Sequence, residues 1–234
     1  MICKEAIILA GGFGTRLQSV ISDVPKPMAP VGGKPFLYYI LKYISSFGLN
    51  RVVLSVGYRH ETIMEYFGDK FEDVELVYAI ENQPLGTGGA VKFSLNSIQS
   101  ETFFLLNGDS FFKSDLRELA SFHKRSRAKI TLSLKELQNF DRYGSVEMDQ
   151  SGIVTQFQEK RFCQSGLINT GVYIVDKEIV NSVNAEKFSF EKDVLEIEVK
   201  NKTVYGIVSN GYFIDIGIPE DYEKVQGDIN QLLR

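Results

Sequence analysis

The sequence has little cysteine or histidine and no long apolar run. Its 234 residues include two cysteines and two histidines, without a Cys-x-x-Cys pair, so neither a disulfide framework nor a structural zinc site is expected. No apolar stretch reaches the roughly 18–20 residues of a membrane span. The N-terminus lacks the basic, apolar and small-residue order of a signal peptide. We therefore expect a soluble, cytoplasmic protein without a membrane partner.

The sequence also lacks an excess of positive charge. With 26 Lys and Arg against 30 Asp and Glu, the formal net charge at pH 7 is -4. This argues against nucleic-acid binding, because affinity for a phosphate backbone comes from a basic surface. An anionic substrate would therefore depend on a few well-placed Lys and Arg side chains. The hydrophobic fraction of 44% is typical of a globular chain with a sizeable core.

Short apolar runs alternate with helical patterns over the first half of the chain. The helical patterns have apolar residues at helix spacing, and several end at glycine. Alternation of strand and helix predicts βαβ units and a mostly parallel sheet. Strands are expected at 5–10, 51–57, 74–80 and 102–109, and helices at 36–48, 61–69 and 88–98.

After about Ile130 the pattern changes to strands with little helix between them. This predicts an antiparallel portion that completes the sheet and covers one side. A terminal helix begins at Pro219, since proline is favoured in the first turn of a helix. No linker, repeat or low-complexity segment interrupts the sequence. We therefore expect one α/β domain over residues 1–234, a mixed, mostly parallel sheet flanked by helices, with no appended C-terminal domain.

A glycine-rich loop, ILAGGFGTRL at 8–17, follows the first strand directly. Glycine allows a ligand to approach the backbone closely, and backbone N–H groups can hold an anion there. A P-loop requires Gly-Lys-Ser/Thr, but the sequence at 33–35 is Gly-Lys-Pro. A dinucleotide fingerprint requires a third glycine where Leu17 stands, which disfavours a dehydrogenase.

Lys26 stands between two prolines in the stretch VPKPMAP, shortly after Arg16 in the glycine-rich loop. Because proline fixes its own φ and restricts the residue before it, Lys26 lies on a stiff segment. A stiff lysine beside an anion-binding loop can hold a phosphate in one geometry. A solvated position is the commoner fate of a lone loop lysine, and the residues alone leave both interpretations open.

Six motifs in chain order resemble those of the sugar-1-phosphate nucleotidyltransferases. They are LAGGFGTRL with PKPMAPVGGKP, QPLGTGGAV, LLNGDSFF, QFQEK, INTGVYIV and DIGIPEDY, spread over residues from about 5 to 224. The resemblance implies a Rossmann-like nucleotide-diphospho-sugar transferase domain. It also implies that a sugar 1-phosphate oxygen attacks the α-phosphorus of a nucleoside triphosphate and expels pyrophosphate. Such a transfer depends on positioning and on stabilisation of charge.

The resemblance also implies a role for each matching residue. Arg16 and Lys26 would be catalytic, with Arg16 on the leaving phosphates and Lys26 neutralising charge at the reacting ones. Asp109 and Asp215 would hold Mg²⁺, although each is also a common turn-forming residue. The nucleotide would contact Leu9, Gly11, Gly12, Gly14, Thr15, Glu81, Gln83, Pro84, Gly86, Thr87 and Gly88. The sugar phosphate would contact Gly144, Glu159, Lys160, Asn169 and Thr170.

The turn PLGTGGA resembles that of guanylyltransferases, which implies GTP as the nucleotide. A guanine pocket needs hydrogen-bond acceptors, and Glu81 and Gln83 offer them. Relatives often have Glu where Gln83 stands, and Gln can also read uracil, so a short uridylyltransferase stays open. The chain most resembles members that act on D-glycero-α-D-manno-heptose 1-phosphate for bacterial surface glycans, through the combination of DVPKPMAPVGGKPFL, PLGTGGAV, FSFEKDVLE and DIGIPEDY. FSFEKDVLE at 188–196 carries much of this resemblance. Mannose 1-phosphate is the alternative sugar.

A catalytically silent sensor of nucleotide sugars is the alternative of another class. It would be expected to lack one of the four charged residues assigned to catalysis and metal binding, and all four are present. His60 and His123 lie in charged surroundings and are expected on the surface. Cys163 is expected in a loop, without a role, and the basic run at 123–129 is expected to be a solvated helix end. A homo-oligomer is implied by the resemblance alone.

Overall fold

The computed structural model describes residues 3–12, 21, 24–158 and 161–233 of the chain. Within these ranges the strands are β1 (Glu5–Leu9), β2 (Pro30–Val31), β3 (Lys34–Pro35), β4 (Arg51–Val56), β5 (Lys70–Phe71), β6 (Val74–Ile80), β7 (Thr102–Asn107), β8 (Ser110–Phe112), β9 (Ile130–Phe140), β10 (Ser145–Met148), β11 (Val154–Gln158), β12 (Cys163–Asp176), β13 (Val204–Val208) and β14 (Phe213–Asp215). The α-helices are α1 (Phe36–Ser45), α2 (His60–Phe67), α3 (Gly86–Ser94), α4 (Leu116–Ser126), α5 (Lys177–Asn181), α6 (Glu196–Lys200), α7 (Pro219–Gly227) and α8 (Ile229–Leu233).

A mixed sheet forms the centre of the molecule, in the order β11-β10-β12-β7-β1-β4-β6-β5, with β9 on β12 and β13 on β9. Strands β7, β1, β4 and β6 are parallel, and Ile8 of β1 pairs with Leu54 on one side and Leu106 on the other. Strand β12 runs antiparallel to β7 and begins the added portion. The predicted α/β class, with a parallel half followed by an antiparallel addition, is confirmed.

The core lies on both faces of this sheet. Ile7 and Ile8 are fully buried, and successive side chains of a strand point to opposite faces. Ile8 therefore packs in the cluster that contains α1, whereas Ile7 packs in the cluster that contains Val91 of α3. Strands covered on both faces appear in the sequence as continuous apolar runs. In the described ranges, no helix combines the length and the apolar character needed to cross a bilayer.

Helix α4 contains the largest error of the sequence analysis. His123 was expected on the surface, but it is 7% exposed and faces the core side of α4. Its Nδ1 lies 2.8 Å from Thr131 Oγ1, and its Nε2 lies 3.2 Å from Asp176 Oδ1. The imidazole therefore joins α4 to β9 and β12 as a buried, fully partnered group.

Two smaller expectations were also wrong. Cys163 begins β12 and pairs with Phe140 of β9, instead of lying in a loop. The terminal helix is interrupted, because α7 ends at Gly227 and α8 starts at Ile229. Neither correction alters the sheet on which the candidate site is built.

The two cysteines should differ strongly in reactivity. Cys3 is 2% exposed, and burial raises the pKa of its thiol to about 11, so only about one part in a thousand is thiolate at pH 8. Cys163 is partly exposed. Mass spectrometry after iodoacetamide treatment at pH 8 should show one alkylated site, which Cys163→Ser removes. Fast labelling of Cys3 in the folded protein would contradict this burial.

Candidate active site

A cavity of about 660 Å³ opens at the carboxyl ends of β1, β4 and β6. Ligands of open α/β sheets bind at this edge, because the residues that follow parallel strands converge there. The cavity is lined by residues from the first, second and third sequence motifs. The residues predicted from sequence that line it are Leu9, Gly11, Gly12, Lys26, Glu81, Gln83, Pro84, Gly86, Thr87 and Asp109.

A second cavity, of about 460 Å³, lies beside the first over the antiparallel part of the sheet. Its lining includes Gly144, Asn169 and Thr170, which the sequence assigned to the sugar phosphate, together with Asp215. The described members of the two predicted binding groups therefore fall into two adjoining cavities, except Gly88, which is buried and lines neither. Gly14, Thr15, Arg16, Glu159 and Lys160 lie outside the described residues.

The side chains of Thr170 and Asn169, two of the predicted sugar-phosphate residues, make hydrogen bonds within the protein. Thr170 is 2% exposed, and its hydroxyl donates to Ser133 O at 2.7 Å, so its hydroxyl proton is already used within the protein. The amide of Asn169 donates to Tyr173 Oη at 2.6 Å and accepts from Gly171 N at 3.2 Å. These bonds fix the orientation of the Asn169 side chain on the cavity wall.

Lys26, Asp109 and Asp215 form a charged cluster where the two cavities meet. Lys26 begins a single 3₁₀ turn, and its Nζ lies 2.6 Å from Asp109 Oδ2 and 3.6 Å from Asp215 Oδ1. Its side chain is only 12% exposed. The three residues come from separate motifs, so the structure brings together side chains that the sequence could only assign one by one.

A short ribbon positions the two carboxylates. Asp109 lies in the turn between β7 and β8, slightly beyond the strand end where the sequence placed it. Asp215 ends β14, which pairs antiparallel with β8. Gly217 N donates to Asp215 Oδ1 at 2.7 Å. Burial, and then the negative charge of Asp109, raise the pKa of the Asp215 carboxyl, while Lys26 opposes the shift.

The carboxylate pair in this cluster fits a divalent cation. Among the described residues, no group of three or more His, Cys, Asp or Glu side chains could hold a metal by itself. A pair of carboxylates is nevertheless the usual protein contribution to a Mg²⁺ site, because substrate phosphates and water complete the coordination. Asp109 and Asp215 would be the protein ligands.

Glu81 is held by the protein on both of its oxygens. Ser55 Oγ donates to Oε1 at 2.9 Å, and Leu85 N donates to Oε2 at 3.3 Å. The carboxylate therefore fixes the end of β4 to the turn before α3. Gln83, by contrast, is exposed on the cavity wall. Of the two predicted base acceptors, Gln83 is the one with its side chain open to solvent.

The glycines in the first turn of α3 allow a neighbouring segment to pack closely against the helix. A Cβ on Gly86 would lie 2.5 Å from Phe188 O, one on Gly88 2.3 Å from the Phe188 ring, and one on Gly89 2.3 Å from Glu186 O. Gly88 N donates to Phe188 O at 3.0 Å, and Phe188 N donates to Leu85 O at 3.0 Å. The segment 186–190 therefore lies directly against α3, and Gly88 contacts Phe188 on its side-chain face.

Replacing Gly89 with alanine should destabilise the protein despite alanine's higher helix propensity. The new Cβ would meet a backbone oxygen at 2.3 Å, so the segment 186–190 must move, at a cost of about 1–3 kcal/mol. Gly227→Ala in α7 is the matched control, because nothing lies within 4 Å of its Cβ position. Urea denaturation should show lower stability for Gly89→Ala and no loss for Gly227→Ala. Equal effects would contradict the close packing.

Several residues that line the cavities were not predicted from the sequence. Tyr58 and His60 border the first cavity, and Arg142 borders the second. Arg142 Nη2 pairs with Asp221 Oδ2 of α7. Arg142 lies two residues before the predicted sugar-phosphate residue Gly144, and Asp221 lies within the motif DIGIPEDY. Glu191 lies in FSFEKDVLE, the stretch that resembles heptose-specific members, but the sequence assigned no role to any single residue of that stretch.

The chain is similar to known proteins over nearly all of its length. The family model described as nucleotidyl transferase matches residues 5–231. A D-glycero-alpha-D-manno-heptose 1-phosphate guanylyltransferase of Aneurinibacillus thermoaerophilus is 46% identical over 230 residues, covering 98% of this chain and 100% of the relative. A protein of the same description from Campylobacter jejuni is 48% identical over 219 residues, covering 93% and 96%.

The fold is also similar to that of a solved structure. HddC from Yersinia pseudotuberculosis, complexed with GMP-PN, has a TM-score of 0.86 and 37% sequence identity, covering 97% of this chain and 99% of that chain. The family match also takes in every motif on which the resemblance from sequence rests.

Proposed function

Because the chain belongs to the nucleotidyl transferase family, as its motifs predict, we propose that it is a sugar-1-phosphate guanylyltransferase. The proposed substrates are GTP and D-glycero-α-D-manno-heptose 1-phosphate, and the products are a GDP-heptose and pyrophosphate. The observation that carries this proposal is the 46% and 48% identity to two heptose 1-phosphate guanylyltransferases over nearly the full length of both. The product would be an activated sugar for a bacterial capsule or lipopolysaccharide.

Two adjoining cavities suit a reaction between two substrates. The nucleotide would occupy the first, with its base near Gln83 and its phosphates near the backbone of Gly11 and Gly12. Nothing lies within 4 Å of a Cβ position on Gly12, which leaves room for a phosphate against its backbone. The sugar 1-phosphate would occupy the second, beside Gly144 and Asn169.

The reaction exchanges one phosphorus–oxygen bond for another. A phosphate oxygen of the sugar 1-phosphate bonds to the α-phosphorus, and the bond from that phosphorus to the bridging oxygen breaks, so pyrophosphate leaves with the electron pair. Lys26 would neutralise charge on the reacting phosphates, and Arg16 would bind the leaving ones, since guanidinium can bind phosphate bidentately. Asp109 and Asp215 would hold Mg²⁺, which supplies further charge neutralisation when bound.

The test is pyrophosphate release in the presence of Mg²⁺, measured over a grid of substrates. GTP, UTP, dTTP, CTP and ATP are each combined with manno-heptose, mannose and glucose 1-phosphates. We expect the highest kcat/KM for GTP with the heptose. A preference for UTP or dTTP would overturn the base assignment, and a preference for mannose would overturn the sugar. Binding of GTP without release in any combination would favour a sensor.

A further inference from the structure

Glu191 lies at the boundary of the two cavities. Of the described residues, only Asn107 and Glu191 line both. Glu191 begins a single π-helical turn, Glu191–Leu195, that follows the segment packed against α3. A residue in this place can contact either substrate or both.

The protein holds one oxygen of the Glu191 carboxylate. Thr87 Oγ1 donates to Oε2 at 2.7 Å, and Ser189 Oγ donates to the same atom at 3.0 Å. Phe190 N in turn donates to Thr87 Oγ1 at 2.9 Å, which fixes the hydroxyl. Among the hydrogen bonds of the described residues, none reaches Oε1. The carboxylate is thus oriented by the protein and keeps one acceptor for a ligand.

The charge of Glu191 restricts what that ligand group can be. An ionised carboxylate accepts hydrogen bonds and repels phosphate. Phosphates are therefore expected on the side of Lys26, and the group near Glu191 should be a neutral donor. Both substrates of the proposed function carry such donors on their sugar rings, and a hydrogen bond from a hydroxyl to a carboxylate is among the stronger kinds.

We propose that Glu191 Oε1 accepts a hydrogen bond from a sugar-ring hydroxyl at the boundary of the cavities, and so is a specificity residue. This inference rests on the proposed function. The hydroxyl belongs either to the ribose of the nucleotide or to the ring of the sugar 1-phosphate. The two sources share one chemistry, and different measurements separate them.

The test variant is Glu191→Gln, which keeps the side chain's shape and still offers one oxygen to the Thr87 and Ser189 hydroxyls. For the ribose, isothermal titration calorimetry compares GTP with 2′-deoxy-GTP and 3′-deoxy-GTP in the absence of sugar phosphate. The wild type should bind GTP about 10- to 100-fold more tightly than one of the analogues, and the variant should lose that preference. If the hydroxyl belongs instead to the ring of the sugar 1-phosphate, the variant should raise KM for the sugar 1-phosphate by a similar factor without changing GTP affinity.

Glu186→Gln is the matched control. Glu186 lies in the same segment, is exposed, and lines neither cavity. Glu186→Gln should leave the preference for GTP over its deoxy analogues, and KM for the sugar 1-phosphate, unchanged. If Glu191→Gln also leaves both unchanged while the wild type releases pyrophosphate, this inference is wrong and the proposed function stands. If the wild type neither binds GTP nor releases pyrophosphate, the proposed function is wrong as well.

Discussion

Replacing Lys26 with methionine is expected to lower the rate of pyrophosphate release by about 10²–10³-fold. The Lys26 Nζ lies at the junction of the two cavities, 2.6 Å from Asp109 Oδ2. A fixed positive charge placed where phosphate charge develops has an effect of this order when it is removed. Methionine keeps the length of the side chain, so the expected loss comes from the charge and not from an empty space.

The same substitution should also lower stability. It removes the cation that faces two partly exposed carboxylates, Asp109 at 40% and Asp215 at 30% side-chain exposure. Breaking a fully buried pair costs about 3–5 kcal/mol. The cost here should be smaller, about 1–3 kcal/mol, because the Asp109 side chain is 40% exposed and water screens it. Urea denaturation of the protein without substrates measures this difference.

Two controls accompany Lys26→Met. Lys34→Met changes an exposed lysine in the same stretch that lies outside both cavities, and it should alter neither rate nor stability appreciably. Lys26→Arg retains the charge with a different shape, and should be less destabilising than Lys26→Met. A rate loss of less than tenfold for Lys26→Met would refute the role proposed for this lysine.

The parallel half of the fold could be predicted from sequence because its strands are buried on both faces. In β1, for example, Ala6, Ile7 and Ile8 are all fully buried, so the strand is an uninterrupted apolar run that ends at the glycine-rich loop. An apolar run and the glycines that end it are local features, so the strand could be recognised without any long-range information.

The pattern of residues along α4 contains a local signal for the burial of His123. Asp115 caps the helix by accepting from Arg117 N and Glu118 N. The buried side chains of α4 are Leu116, Leu119, Ala120 and His123, which is the spacing of one helix face. His123 completes an apolar stripe, and that position predicts a buried imidazole with polar partners better than its charged sequence neighbours do.

The geometry of the candidate site was beyond what the sequence could supply. Motifs pointed to Lys26 and Asp109, but their contact joins residues 83 positions apart. The contact between Thr87 and Glu191 joins residues 104 positions apart. No local pattern encodes such pairings. The glycines of PLGTGGA illustrate the difficulty, because they suggested a ligand, and in the structure Gly86, Gly88 and Gly89 make room for the segment 186–190.

Replacing Asp215 with asparagine is expected to separate stability from activity. Burial and the neighbouring charge of Asp109 raise the pKa of Asp215, which means that the folded state disfavours its ionised form. A group of this kind costs stability once the pH rises through its pKa in the folded protein. At pH 7 the neutral amide removes that cost, and its Oδ1 can still accept from Gly217 N. The melting temperature at pH 7 should therefore stay the same or rise.

Pyrophosphate release by Asp215→Asn should nevertheless fall by about 10²–10³-fold, because the carboxylate pair proposed to hold Mg²⁺ is reduced to one. Asp193→Asn, at an exposed position outside both cavities, is the control for the rate. Lys26→Met is thus expected to lower both stability and rate, whereas Asp215→Asn is expected to lower the rate without lowering stability. Carboxyl groups with a perturbed pKa cluster at functional sites, which agrees with the role proposed for Asp215 in the reaction. Lower stability of Asp215→Asn with unchanged activity would show that Asp215 is only a structural partner of Lys26.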